Sequence, residues 1–118
     1  MIAQQLAEYA REQALWRLHK QEEYPEDARN LRCVAGLREF AAFIDELPHD
    51  DERLVLLDAI HDDSGTGVFM PGEWTSRRLS QFRFHVPNES CDELLRELPD
   101  LLVRDAQAFI EDTDPEGG

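Results

Sequence analysis

The chain lacks any run of apolar residues long enough to cross a bilayer as a helix, which takes about 18 or more. It is also poor in cysteine. Its two thiols, Cys33 and Cys91, have no CxxC spacing, which gives neither a zinc pattern nor a disulfide framework. Both fall on apolar helical phases and read as buried free thiols. The N-terminus, Met1-Ile2-Ala3-Gln4-Gln5-Leu6-Ala7-Glu8, carries no basic region and no continuous apolar segment, so no secretory leader is read there. A cytoplasmic setting is expected. Positive charge is scarce as well: 12 Lys and Arg stand against 26 Asp and Glu, a net charge of −14. Such a surface repels phosphate backbones and anionic bilayers, so neither direct nucleic-acid binding nor membrane attachment is expected. Catalytic signatures are missing too. The four histidines show no HExxH or HxxxH spacing, and no serine or cysteine sits in a nucleophile elbow or a Cys-His signature. No catalytic residue and no cofactor are therefore expected.

What is present is helical periodicity. With 118 residues the chain suits one domain, large enough to bury a core without a staple. Ala3, Leu6, Ala7, Ala10, Ala14 and Leu18 recur at three- and four-residue steps and predict a first helix over 2–22, with Tyr9 and Trp16 widening its apolar stripe. Pro25 with Glu26 and Asp27 suits the first turn of a second helix. Its face is Cys33, Val34, Leu37, Phe40, Ala41, Ile44 and Leu47, and Gly36 sits inside it for close packing. A third helix is capped by Asp50. Its run Leu54-Val55-Leu56-Leu57 is apolar nearly all round and predicts a central, buried element. Glu73 to Gln81 reads as a short fourth helix with Trp74, Leu79 and Phe82 inward. Ser90 and Glu93 form a capping-box pattern that opens a fifth, which carries its apolar phase across Pro99 as one kinked helix.

The expected fold is thus mainly α, a single-domain bundle of about five helices over 1–112 followed by a flexible acidic tail at 113–118. One irregular Gly-rich insertion precedes the fourth helix. The alternation Phe82-Arg83-Phe84-His85-Val86 has the period of a strand, and Gly67-Val68-Phe69-Met70 would be its partner in a two-stranded ribbon. Extended coil is the plainer reading, because an isolated pair of strands is marginal.

The insertion, His61 to Trp74, holds three of the six glycines and a run of oxygen-bearing side chains. With Asp62 at its first position, Ser64, Thr66, Gly67, Val68 and Glu73 fall where an EF-hand loop places ligands and its turning glycine. Over these twelve residues the loop resembles that calcium site. The resemblance implies Asp62, Ser64, Thr66 and Glu73 as metal ligands. The loop departs from the pattern in using Ser and Thr for carboxylates, in placing Met70 where an oxygen belongs, and in Pro71-Gly72 at the exiting helix. A metal-dependent hydrolase built on His61, Asp62, Asp63, Glu73 and His85 is a second way to use the same region.

Charge is unevenly spread. Residues 49–63 hold one base and six acids, 89–118 two bases and ten acids, and 64–88 three bases and one acid. Arg77, Arg78 and Arg83 make up this basic island. They are candidates for contact with an anion or a partner, weighed against pairing with the chain's own acids. The acidic runs suit a solvated surface or, in a sharper reading, a nucleic-acid mimic that blocks a DNA-binding protein. With no convergent catalytic motif and with surplus apolar side chains at Tyr9, Trp16 and Trp74, the leading expectation is a non-catalytic interaction or regulatory protein. Its partner would be another protein or a second copy, joined through the first or last helix.

Overall fold

A computed structural model describes the backbone of residues 2–63 and 71–113, and side chains within 2–60 and 71–108. Five helices follow one another: α1 (Ile2–Glu23), α2 (Arg29–Glu46), α3 (Glu52–Asp63), α4 (Glu73–Ser80) and α5 (Cys91–Thr113). No strand occurs among the described residues. The narrowest extent of the molecule, 22 Å, is close to two helix diameters, so the helices lie in about two layers.

The most extensive packing joins α1 to α2. Small residues explain it. Ala7, Ala10 and Ala14 are buried on α1 and let the α2 face of Cys33, Val34, Leu37, Phe40, Ala41 and Ile44 approach closely. Leu79 and Phe82 enter this core from α4 and the turn after it, and Leu94, Leu95 and Leu98 from α5. Cys33 and Cys91 are buried and unbonded to each other, and burial pushes both thiols up from their ordinary pKa. They are protonated packing groups, not nucleophiles.

Helix starts differ from the sequence reading in register. Pro25 lies in a turn rather than in a first helical turn, and α2 begins at Arg29, with Asp27 accepting the Arg29 N–H at 3.1 Å and the Arg29 guanidinium at 2.8 Å. Asp51, not Asp50, takes the N–H of Arg53 at the start of α3 (2.9 Å). Ser90 does cap α5, accepting from the N–H groups of Asp92 and Glu93. That helix is continuous through Pro99. The tail from 114 lies outside the described residues.

Three expectations are corrected. Of the residues expected inward at α4, Leu79 and Phe82 are buried but Trp74 is exposed. The α3 run is not buried all round. Leu54 and Leu57 are in the core, but Val55 is 53% and Leu56 49% exposed. Among the described residues α3 packs on one side, chiefly against α5 and α1 and through Arg53 on Phe43 of α2, and its apolar outer side is exposed. Phe82–Val86 is not a strand either. Arg83 has φ 62°, the left-handed region, and the Phe84 N–H closes a turn onto the Gln81 carbonyl at 2.9 Å. A non-glycine residue there costs on the order of 1 kcal/mol. It is held in place because the Arg83 N–H and Nε donate to Glu89, while its guanidinium pairs with Glu39. Gly36 makes this possible. A Cβ on it would come within 2.8 Å of Arg83 Cδ and 3.2 Å of the Phe82 ring. The proposed partner strand, 67–70, and the insertion's Gly-rich centre lie outside the described residues.

Candidate interaction groove between α1 and α4

The short helix α4 positions the site. An eight-residue helix has little stability of its own. Both its ends are secured by side chains from other helices. At the N-terminus the Asp105 carboxylate of α5 accepts three backbone N–H groups, from Gly72 (3.0 Å), Trp74 (2.8 Å) and Thr75 (3.3 Å). Gly72 permits it, since a Cβ there would lie 2.6 Å from Asp105 Cγ. At the C-terminus Arg17 of α1 donates from Nε to the Ser80 carbonyl at 2.8 Å and from Nη1 to Asn30 Oδ1 at 3.1 Å. Negative charge at the start and positive charge at the end both suit the helix dipole.

Held this way, α4 lies beside α1 and the two enclose an open groove of about 460 Å³. Tyr9, Gln13 and Trp16 line it from α1, and Glu73, Ser76, Arg77 and Ser80 from α4. These α1 positions recur at steps of three and four, so they share one face. Trp16 is 44% exposed, a large apolar surface left in water. Its ring is not loose. The Arg17 guanidinium lies 4.8 Å from the ring centroid and the Lys20 ammonium 5.6 Å, both within cation–π range. Arg17 in turn stacks on Phe84 at 4.5 Å and is itself buried.

The polar lining is largely engaged. The Ser76 and Ser80 hydroxyls donate to the carbonyls of Glu73 and Arg77 within their own helix, and Tyr9 is hydrogen-bonded to Ser76. Burial, followed by the charge of Glu12, raises the Tyr9 pKa, so its phenol stays neutral. Glu73 pairs with Arg77 across one helical turn. The serines therefore face helix carbonyls rather than a base, and no histidine is among the described lining residues. What the groove offers is an aromatic wall with a neutral polar rim and one ion pair.

The residues singled out from sequence fare unequally. Ser64, Thr66 and the Asp62 side chain lie outside the described residues, as do the side chains of His61 and Asp63. Glu73 is described, and its carboxylate serves the ion pair with Arg77. His85 is exposed and packs edge-on against Phe84, with centroids 4.9 Å apart. Among the described residues no group of three or more His, Cys, Asp or Glu is placed to hold a metal. The three arginines of the basic island all pair with the chain's own acids: Arg77 with Glu73, Arg78 with Glu89 and Glu97, and Arg83 with Glu39. No helix among the described residues is long and apolar enough to cross a membrane.

The chain matches no family model, no curated protein and no solved structure.

Sequence reasoning singled out four of the lining residues, Tyr9, Trp16, Glu73 and Arg77, but missed Arg17 and Asp105, which hold α4 in place. Arg17 occupies the continuation of the buried α1 stripe at 10, 14 and 17, where an arginine reads as solvent-facing. Asp105 caps a helix about thirty positions upstream, and no local pattern announces such a cap. The phase of Arg17, three residues after Ala14, was the one signal available.

Proposed function

We propose that this protein is a non-catalytic interaction protein and that the groove between α1 and α4 receives a segment of a protein partner. The observation that carries this reading is Trp16. It is exposed, yet braced by Arg17, which ties α1 to the end of α4 and to α2. A large side chain already held in one orientation loses little entropy on binding, which is the character of an interface anchor. The matching feature on the partner is an apolar side chain laid against Trp16, with a polar group near the Glu73–Arg77 pair. Nucleic-acid mimicry has less support. That idea needs a continuous band of carboxylates, whereas Asp27, Asp45, Asp51, Asp92, Glu39, Glu73, Glu89 and Glu97 are all interleaved with arginines.

The test is a photo-reactive side chain at position 16 or 13, used in cells from which the chain is recovered. A partner crosslinked at both positions, and lost from co-purification when Trp16→Ala is introduced into a chain of unchanged circular dichroism, is the expected result. A partner retained in full by Trp16→Ala and by Tyr9→Ala rules the groove out as the docking site. Crosslinking of the chain to itself would make the partner a second copy.

A further inference from the structure

The outer side of α3 is a second surface that neither the core nor the groove uses. Glu52, Val55, Leu56 and Ala59 are exposed at spacings of three, four and seven, so they form one stripe about 100° wide. Leu54 and Leu57 point the opposite way into the core. The contacts that hold α3 also lie off this stripe. Arg53 reaches Asp51 and Asp92 of α5, and Asp58 accepts the Ile2 N–H of α1 at 2.8 Å. Leu15 is a single exposed apolar residue whose neighbours at helical spacing are Arg11, Glu12, His19 and Leu18, the last packed against the core. Val55 and Leu56, by contrast, are two exposed aliphatics flanking one face, with Ala59 between them a turn later.

Charge decides what covers this stripe. Glu52 and Asp50, at its N-terminal end, form no ion pair among the described residues, and residues 54–63 contain no Lys or Arg. The nearby cation, Arg53, is already committed to two carboxylates. A second copy laid on this stripe would bring another Glu52 and another Asp50 with nothing to neutralise them. A segment with basic residues beside its apolar ones meets both requirements at once.

We propose that the outer stripe of α3 docks a cationic amphipathic helix of another protein, its apolar side chains on Val55, Leu56 and Ala59 and its Lys or Arg residues toward Glu52 and Asp50. A helix is the matching element because ridges of side chains at three- and four-residue spacing fit such a stripe. This surface is independent of Trp16 and of the groove.

The experiment measures fluorescence anisotropy of a labelled amphipathic peptide of Leu and Lys, and of a second peptide with the same Leu pattern and Glu for Lys. Both are titrated with the full chain at low and at high salt. The Leu/Lys peptide is expected to bind about tenfold or more tightly than the Leu/Glu peptide, and to weaken with salt. The double substitution Val55→Gln with Leu56→Gln should reduce its affinity about tenfold, as expected when apolar contacts at an interface centre are lost. Glu52→Lys should weaken it as well, and Trp16→Ala should leave it unchanged. Because all three α3 positions are exposed, melting curves of these variants should overlay that of the parent. Equal binding of the two peptides overturns the proposal, as does full binding by the double variant, since attraction to net charge alone would survive it. Concentration-dependent self-association that the double variant abolishes overturns it in favour of a second copy.

Discussion

The two ends of α4 are held by opposite charges in opposite surroundings. At the start, one carboxylate from α5 gathers three N–H groups at the edge of the protein. At the finish, one guanidinium from α1 reaches a single carbonyl, but it does so from within the core and also bonds Asn30 and stacks on Trp16 and Phe84. The dipole of a short helix accounts for both signs. It does not account for the difference in depth. Asp105 satisfies donors that would otherwise turn to water, whereas Arg17 fills space that nothing else fills. Removing the first loses a cap, and removing the second loses a cap, a packing element and the brace of the groove.

This contrast is open to direct tests, of which Arg17→Ala should give the largest effect. It leaves Asn30 Oδ1 buried without its donor and removes the contacts to two aromatic rings. A loss of about 2–4 kcal/mol in stability is expected from an unsatisfied buried acceptor together with a cavity. Urea unfolding followed by circular dichroism measures it. Arg17→Met separates the parts, because it restores volume but not the hydrogen bonds, and should recover about half of the loss. If Arg17→Met matches the parent, the hydrogen bonds are idle and the C-terminal hold is packing alone.

Asp105→Ala comes next. Three N–H groups lose their acceptor, and substitutions of this kind cost about 1–2 kcal/mol. Asp105→Asn keeps an acceptor but not the charge, and should lie between the two. Gly72→Ala attacks the same contact from the other side. A Cβ there would sit 2.6 Å from Asp105 Cγ, so the carboxylate must withdraw. Its cost should approach that of Asp105→Ala, about 1–2 kcal/mol, and the double variant should cost little more than either alone. Additive costs would show that Gly72 serves something other than the approach of Asp105.

The same contrast marks what the sequence made legible. The five helices were readable because each carries its apolar residues at helical spacing, and Gly36 was readable as a close contact because a mid-helix glycine has few other uses. Legibility failed where a decision is tertiary. Four consecutive apolar residues on α3 look the same whether one side or all sides are covered, and only the single-sided packing on α1 and α5 leaves Val55 and Leu56 outside. Phe82-Arg83-Phe84 alternates like a strand, yet Glu89 in the following turn and Glu39, 44 positions away on α2, hold Arg83 in the left-handed region. Of the candidate site, the aromatic residues were visible as surplus, while its supports Arg17 and Asp105 were not. The ligand set Asp62, Ser64 and Thr66 falls outside the described residues.

Acid should act on the side of the molecule where Arg17 sits. The hydrogen bonds from Arg29 hold the Asp27 carboxyl down to about 2 from its ordinary 3.8, and Arg29 stacks on Phe84 at 4.5 Å. The folded-state pKa is depressed, so the stabilisation is present above pH 4 or so and is lost as pH falls toward about 2. Asp51, lowered by its hydrogen bond to Arg53, works in the same direction at the start of α3. Melting temperature should therefore drop across that window, and Asp27→Asn should flatten the drop while lowering the melting temperature at neutral pH.

The smallest effect belongs to the ion pair on the groove rim. Glu73 and Arg77 are both more than half exposed, one helical turn apart. Such pairs contribute about 0.3–0.5 kcal/mol, reduced further by salt. Arg77→Ala should barely move the unfolding curve. If the groove docks a partner, however, the same substitution removes a side chain from its lining, so it should alter partner affinity much more than stability. Arg17→Ala should alter both, because it loosens the wall as well as the fold. A variant series in which Arg77→Ala changes neither quantity would leave Trp16 alone to define the groove, and would reduce the α4 side to support.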